Sequence, residues 1–404
     1  MNLDRQTEAS ALGLSESNAD ATLHCEGLQL GLYVHVPFCA TSCNFCAFVQ
    51  GKPDRIRIRR YLEAISNEWN HRFQASQPQF STVFWGGGTP GLLLPKDLEH
   101  LAQATVLRAD RTALREWTVE MAPATVTPSK LRMLREMGVT RISMGVQTFD
   151  DATLRIMDRF HSVAQIHRAW DWICEAGFSS RNIDMIIAYP GQKPEALMDD
   201  LQKAIHLDPD HISTYCLTFE EDTPLYAKLM QGIYKIDLEA EAELYRLTWQ
   251  FLESNGYAQY EISNFARPGH ASIHNCNTWQ MQEWVGLGPS AASQYNGQRW
   301  SNHPDFATWE SGCLNARLNT VDPQELTPSL LLCDSLIFGL RMNAGVDLTA
   351  LSSRFAPLTT ERWKSLFDRL VEEGLAEQHG TCLRLTLNGR LLADAIAVEI
   401  LERS

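Results

Sequence analysis

Hydrophobic and polar positions along this chain follow two alternating periods. Short runs of apolar, β-branched and aromatic residues recur, separated by stretches in which apolar residues return every three to four positions. The runs predict strands over residues 31–37, 82–85, 117–121, 141–146, 183–187 and 211–217. Helices are expected over about 57–73, 128–137 and 163–176, with one more before the last strand. Gly138 and Gly177 follow two of these helices as C-cap candidates. Six βα units at this spacing predict an α/β fold with a parallel sheet, curled into a partial (β/α)6 barrel.

Beyond residue 217 the pattern changes. A long helix is expected over about 237–255, ending at Gly256. Residues 260–289 are dense in aromatic side chains, Gly and Pro, which predicts ordered loops and no helix. The last seventy or so residues read helix, helix, helix, strand, strand, helix, the pattern of a winged-helix-like module. Its third helix, over 360–373, mixes Arg362, Lys364 and Arg369 with Glu361, Asp368, Glu372 and Glu373. That balance argues against a DNA-reading helix and for a structural or partner-docking cap. The expected division is a flexible N-terminal tail (1–28), a core domain (29–270), a linker-like extension (271–320) and a C-terminal winged-helix-like domain (321–404).

Charge narrows the partners. The chain carries 49 acidic and 35 basic residues, a net charge of −14, so a basic surface that neutralises nucleic-acid phosphates is not expected. No apolar run is long enough to span a bilayer; the best stretch, 330–340, is interrupted by Asp334. The first twenty residues are polar and acidic and lack the form of a signal peptide, so a cytoplasmic protein without a transmembrane segment is expected. The basic run Arg55-Ile-Arg-Ile-Arg-Arg60 reads first as the solvated start of a helix. A docking patch for an acidic electron donor, such as flavodoxin or ferredoxin, is the alternative.

Ten cysteines are distributed unevenly. Cys25, Cys174, Cys216, Cys276, Cys313, Cys333 and Cys382 stand alone, as small buried hydrophobes usually do. The other three lie within Cys39-Ala-Thr-Ser-Cys43-Asn-Phe-Cys46. A C-x3-C-x2-C loop offers three thiolates to one centre, whereas structural zinc takes four ligands, generally from two separated pairs. An iron–sulfur cube held at three corners leaves one iron open to a non-protein ligand, and that assignment is preferred over zinc. Gly86-Gly-Gly-Thr-Pro90 follows the second strand, where backbone without Cβ atoms can approach a ligand closely. Glu120, Gln147, Asp184 and Tyr215 stand at or near the ends of later strands. In a barrel those ends are where sites are built, so a shared pocket is the better expectation than scattered surface polarity.

The order strand, C-x3-C-x2-C, helix, strand, GGGTP resembles the radical S-adenosylmethionine (SAM) superfamily. Tyr33-Val-His-Val-Pro-Phe-Cys39, Ile142-Ser-Met-Gly-Val-Gln147, Asn182-Ile-Asp184, Pro190-Gly-Gln192 and Tyr260-Glu-Ile-Ser-Asn-Phe-Ala-Arg-Pro-Gly269 are similar to the oxygen-independent coproporphyrinogen III oxidase-like family, and most to its heme chaperones. The resemblance covers nearly everything from residue 30 onward. It implies that Cys39, Cys43 and Cys46 hold a [4Fe-4S] cluster whose fourth iron takes SAM. It implies contacts to that SAM from Tyr33, Gly87 and Glu120. Phe45, Gly88, Thr89, Gln147, Arg159 and Asp184 match positions that line a second SAM site in the oxidase. Cofactor chemistry of this kind is supplied by cluster and SAM, while the protein orients them and excludes water.

Two features separate chaperone from oxidase. The oxidase carries a further cysteine two residues after the third, where this chain has Phe48, and a long N-terminal extension unlike this tail. His274-Asn275-x-x-x-Trp279 matches the chaperones' HNxxYW signature, which implies heme handling, with His274 as candidate iron ligand and Cys276 a weaker second. A lone histidine is otherwise more often a hydrogen-bonded structural residue. Thr278 replaces the signature tyrosine, Ala292 a usual histidine and Ala122 a usual asparagine. The expected function is a heme chaperone that binds heme and passes it to acceptor apoproteins on a [4Fe-4S]/SAM scaffold, without commitment to an enzymatic role. The alternatives are oxidative decarboxylation of coproporphyrinogen III and a two-SAM radical C-methylase.

Overall fold

Six parallel strands form the centre of the molecule: β1 (Gly31–Val36), β2 (Thr82–Gly87), β3 (Glu116–Met121), β4 (Arg141–Gln147), β5 (Ser180–Ile187) and β6 (His211–Cys216), neighbours in that order. The computed structural model describes residues 29–404, apart from 41, 42, 44, 46–48, 75, 218 and 222. The expected N-terminal tail, Cys25, Cys46 and Phe48 lie outside the described residues. The crossovers carry α1 (Arg55–Phe73), α2 (Pro95–Ala104), α3 (Pro128–Met137), α4 (Asp151–Ile156), α5 (Val163–Ala176) and α6 (Pro194–His206).

Local chemistry sets several of these boundaries. The Asp54 carboxylate accepts from the amides of Ile56 and Arg57, so α1 starts two residues earlier than its apolar period suggests. Thr127 caps α3, with Pro128 in its first turn, and Ser162 with Gln165 forms a capping box on α5. Gly138 and Gly177 close α3 and α5 in the left-handed conformation, as expected. Buried Trp85, Trp117, Val119, Ile142 and Ile183 pack between the strands and the helices.

The chain then adds α7 (Pro224–Met230), α8 (Leu238–Ser254), β7 (Ala258–Glu261), β8 (Asn264–Ala266) and α9 (Ile273–Trp279). It continues with β9 (Trp284–Leu287), β10 (Ala292–Tyr295), β11 (Gln298–Asn302), α10 (Phe306–Leu314) and β12 (Thr320–Glu325). One sheet holds twelve strands in the order β12-β11-β10-β9-β1-β2-β3-β4-β5-β6-β8-β7. The open barrel therefore continues on both sides of its parallel core.

Residues 260–289, expected as loops, contain a helix and strands. The Gly and Pro residues sit at the turns between short elements. The Ser272 hydroxyl caps α9, and the Glu116 carboxylate accepts from the amides of Ile273 and His274 at 2.9 and 3.0 Å. β9 lies parallel to β1, in a register that pairs Gly31 with Trp284. The strands β9–β12 thus join the main sheet where the sequence suggested a linker.

Glu68 of α1 anchors this extension. Its buried carboxylate accepts from Arg72 Nε, the Gly288 amide, the Asn302 side chain and Trp309 Nε1 at 2.8–3.0 Å. The C-terminal part holds helices α11 (Pro328–Arg341), α12 (Leu348–Arg354), α13 (Lys364–Glu372), α14 (Leu387–Leu391) and α15 (Ala393–Glu402). They pack on a small antiparallel sheet of Val346–Asp347, Cys382–Leu385 and Ala376–His379. The helix expected over 360–373 begins as a 3-10 turn at Glu361–Trp363 and is α-helical only from Lys364 to Glu372.

Candidate functional site

The ends of β1 and β2 bring the cysteine loop and the glycine loop together. The cysteine loop is closed at its base: the Cys39 amide donates to the Gly51 carbonyl at 3.1 Å, and the Gly51 amide to Pro37 at 2.9 Å. From the other side, the amides of Gly88 and Thr89 donate to the carbonyls of Val36 and Phe38 at 3.0 and 2.7 Å. A Cβ on Gly88 would lie 2.6–2.8 Å from backbone atoms of Val36 and Phe38, so glycine is what allows this approach.

Cys39 Sγ lies 3.6 Å from Thr89 Oγ1, and Arg159 Nη1 donates to Cys43 Sγ at 3.3 Å. Arg159 Nη2 reaches the Gly145 carbonyl at 3.3 Å, which ties the cysteine loop to the end of β4. Gln147 ends that strand with φ +73, a left-handed conformation uncommon for a residue with a side chain. Phe45 packs at the edge of a small apolar cluster of Met157, Ile186, Leu217 and Leu225.

Below the loops the barrel interior is polar. Tyr33 and His35 lie two residues apart on β1; the Tyr33 hydroxyl is 3.1 Å from His35 Nδ1, and His35 Nε2 is 2.9 Å from the Val49 carbonyl. Glu120 Oε2 accepts from the Gly87 amide at 3.2 Å. Asp184 accepts from Ser143 Oγ at 3.1 Å and Asn182 Nδ2 at 2.7 Å. Asn182 is in turn bonded to His211, whose second nitrogen lies 2.9 Å from the Tyr260 hydroxyl.

Both carboxyls are held above their ordinary range. Burial first, and the Asp184 charge second, push Glu120 up to about 8. Burial also raises Asp184, opposed by Arg141 and by its hydrogen bonds. Neither forms an ion pair among the described residues. Two carboxyls in a low-dielectric interior without a paired cation suit a ligand that brings positive charge, as the ammonium and sulfonium groups of SAM do. The thiols of Cys39 and Cys43, beside a guanidinium and a hydroxyl, suit a thiolate-ligated cluster whose charge needs compensation. Cys46, the third expected ligand, lies outside the described residues.

His274 lies elsewhere. Its Nδ1 is 2.9 Å from Thr82 Oγ1, at the start of β2, and its ring packs 5.3 Å from Phe84. Burial first, then the Arg141 charge, holds it down to about 4, so the imidazole is neutral at pH 7. Tyr33, Gly87, Gly88, Thr89, Glu120, Gln147, Arg159 and Asp184 surround the ends and interior of β1–β5, while His274 is built into the opposite end. Sequence reasoning passed over His35, Ser143 and His211. His35 sits two residues after Tyr33, and Ser143 and His211 lie four residues before Gln147 and Tyr215, so even spacing along a strand was the available signal.

A model of the radical SAM superfamily matches residues 33–204, and one of the HemN C-terminal domain matches residues 326–392. The chain is 31% identical over 372 residues to the heme chaperone HemW of Bacillus subtilis (strain 168), covering 90% of this chain and 97% of that protein. It is 31% identical to the heme chaperone HemW of Mycobacterium tuberculosis (strain ATCC 25618 / H37Rv), over 93% of this chain and 95% of that one. Among solved structures, the radical SAM enzyme coproporphyrinogen III oxidase (HemN) from Escherichia coli superposes with a TM-score of 0.81 at 25% identity, covering 92% of this chain and 90% of that chain.

Proposed function

The chain belongs to the HemN-like family of the radical SAM superfamily, close to the heme chaperone HemW, and from that premise we propose that it binds heme and passes it to acceptor apoproteins. The observation that carries this reading is the 31% identity extending over 97% of a heme chaperone's length. The presence of Phe48 where the oxidase has a further cysteine supports it.

The radical SAM domain implies a [4Fe-4S] cluster and SAM. Cys39, Cys43 and Cys46 would hold the cluster, with Arg159 compensating charge at Cys43. Tyr33, Gly87 and Glu120 would hold SAM; Phe45, Gly88, Thr89, Gln147, Arg159 and Asp184 are assigned to a second, neighbouring SAM site. When bound, the pair supplies one-electron cleavage of a carbon–sulfur bond. The chain's own part is to orient its ligands, to keep water out with the strand ends and loops around them, and to hold a proton on Glu120 until a cation displaces it. Acceptor apoproteins, a flavodoxin- or ferredoxin-type electron donor and a cytoplasmic location belong to the same proposal.

The fold shared with an oxidase sets the test. The cluster is reconstituted anaerobically, heme is titrated, and coproporphyrinogen III is supplied separately with SAM and a reductant. Saturable heme binding that transfers to an apo-acceptor, without turnover of coproporphyrinogen, is expected. Stoichiometric formation of protoporphyrinogen would overturn the chaperone assignment. Cys43→Ser should remove the broad iron–sulfur absorbance near about 400 nm.

A further inference from the structure

A cavity of about 250 Å³ opens between the barrel and the C-terminal helices, apart from the cysteine and glycine loops. Tyr215 and Cys216 at the end of β6, Tyr245 and Trp249 of α8, and Arg341 and Arg390 of the C-terminal part form its walls. The two arginines come from different helices and line one cavity only because α11 and α14 close on the barrel.

The positive charge here is incompletely answered. Arg390 donates to the side-chain oxygen of Gln259, a neutral acceptor, and its guanidinium stands 5.1 Å over the Trp249 ring. No carboxylate among the described residues forms an ion pair with it. Arg341 pairs at 2.9 Å with Asp394, which also lines the cavity, but that carboxylate is 95% exposed, so water and salt screen the pair. Glu261 is near enough to feel Arg341, yet its hydrogen bonds come from Asn264 and the Ser263 amide. Burial pushes the Cys216 thiol up to about 11, so it adds no negative charge.

Among the described residues the Nη2 groups of both arginines make no hydrogen bond and are not sealed from solvent, while their Nε–H groups are buried without a partner. A buried donor left so costs about 1–3 kcal/mol, and the open Nη2 donors are the ones a ligand in the cavity can reach. Two guanidiniums with spare donors recognise carboxylate or phosphate oxygens. The cavity is smaller than the roughly 300–1,000 Å³ of sites that enclose a whole small molecule, so it takes a side group and leaves the body of the ligand outside. Just beyond Cys216, Leu217 enters the apolar cluster edged by Phe45, Tyr189, Phe219 and Tyr234, which offers a surface for an apolar body.

We propose that Arg341 and Arg390 form a carboxylate-binding subsite that takes a propionate of a tetrapyrrole while the macrocycle lies outside, along the end of β6. This rests on the heme-binding assignment and locates it on the chain. Tyr215, 45% exposed, stands at the rim between the subsite and the barrel interior.

The test uses the cluster-reconstituted full chain, titrated with heme and with heme dimethyl ester, in which both propionates are blocked. The wild type should bind heme at least roughly ten-fold more tightly than the ester, as expected for a charge-assisted hydrogen bond. Arg390→Gln and Arg341→Gln should each weaken heme roughly ten-fold and leave ester affinity unchanged, while Arg390→Lys restores part of the loss. Equal wild-type binding of heme and ester would overturn the subsite and leave heme binding standing. Variants that weaken heme and ester alike would do the same, because they would report lost packing. Failure of the wild type to bind either compound would remove the heme assignment and the subsite together.

Discussion

The Nδ1 atom of His274 lies 2.9 Å from the hydroxyl of Thr82, the first residue of β2, whereas Gly87 ends the same strand beside the cysteine loop. At a strand rise of about 3.3 Å per residue the two ends are roughly 16 Å apart. His274 therefore acts as a strut between α9 and the sheet. His274→Ala should lower the free energy of unfolding by roughly 2–4 kcal/mol, through a buried cavity and an unpaired Thr82 hydroxyl. Equilibrium denaturation checks this, with the iron–sulfur absorbance and the Soret maximum of added heme unchanged. A shifted Soret band at unchanged stability would instead make His274 the iron ligand.

Glu120 gives the SAM-free protein a pH dependence. Its folded value of about 8 lies above the ordinary 4.5, so between those limits the native state binds more protons than the unfolded chain. The stabilisation is complete below pH 4.5 and is lost as pH rises through 8, with Asp184 acting in the same direction. His274 slopes the other way: its contribution is present above 6.5 and is lost as pH falls through about 4. Denaturation midpoints of the wild type should fall from pH 6.5 to 8. Glu120→Gln should flatten that limb by up to about 2 kcal/mol and leave the acid limb in place. Parallel curves for the two proteins would show that Glu120 is ionised throughout.

Gly88 has no room for a methyl group, because the three atoms nearest its missing Cβ, at 2.6–2.8 Å, are backbone of Val36 and Phe38. Gly88→Ala must push the glycine loop off the strand that leads into the cysteine loop. A loss of about 1–3 kcal/mol and reduced iron and sulfide content after reconstitution are expected. Gly177→Ala is the control: its φ of +69 costs about 1–2 kcal/mol, but nothing lies within 4 Å, so cluster content should be unchanged. Equal iron loading in both variants would contradict the proposed coupling of the two loops.

Glu68 is fully buried and receives four kinds of donor from α1, β11, α10 and the turn after β9. Glu68→Ala should cost about 3–5 kcal/mol by leaving those donors and the Arg72 charge without a partner. Limited proteolysis should then cut first between residues 288 and 320. Protection of that stretch in a destabilised variant would argue that Glu68 does not anchor it.

Much of the barrel was legible in the chain because its signals are local. The βα period, the caps at Thr127, Ser162, Gly138 and Gly177, and the three closely spaced cysteines all act within a few residues of themselves. The placement of Glu120, Gln147 and Asp184 at or near the ends of their strands pointed to a shared pocket for the same reason. Other features depend on residues far apart in sequence. Trp284–Leu287 is a strand because β1 offers it an open edge, and α9 forms inside a Gly- and Pro-rich stretch because Glu116 and Ser272 satisfy its first amides. The signature histidine matched a motif, but only packing seats it on Thr82, away from the cysteines. Arg341 and Arg390 carry no mark in the sequence, since their shared cavity exists only after the C-terminal helices close on β6. Periodicity and spacing determined which elements form and which thiols cluster. Tertiary packing decided which buried polar groups find partners, because burial and long-range pairing set the energy of a charge or a hydrogen bond, and no local pattern encodes them.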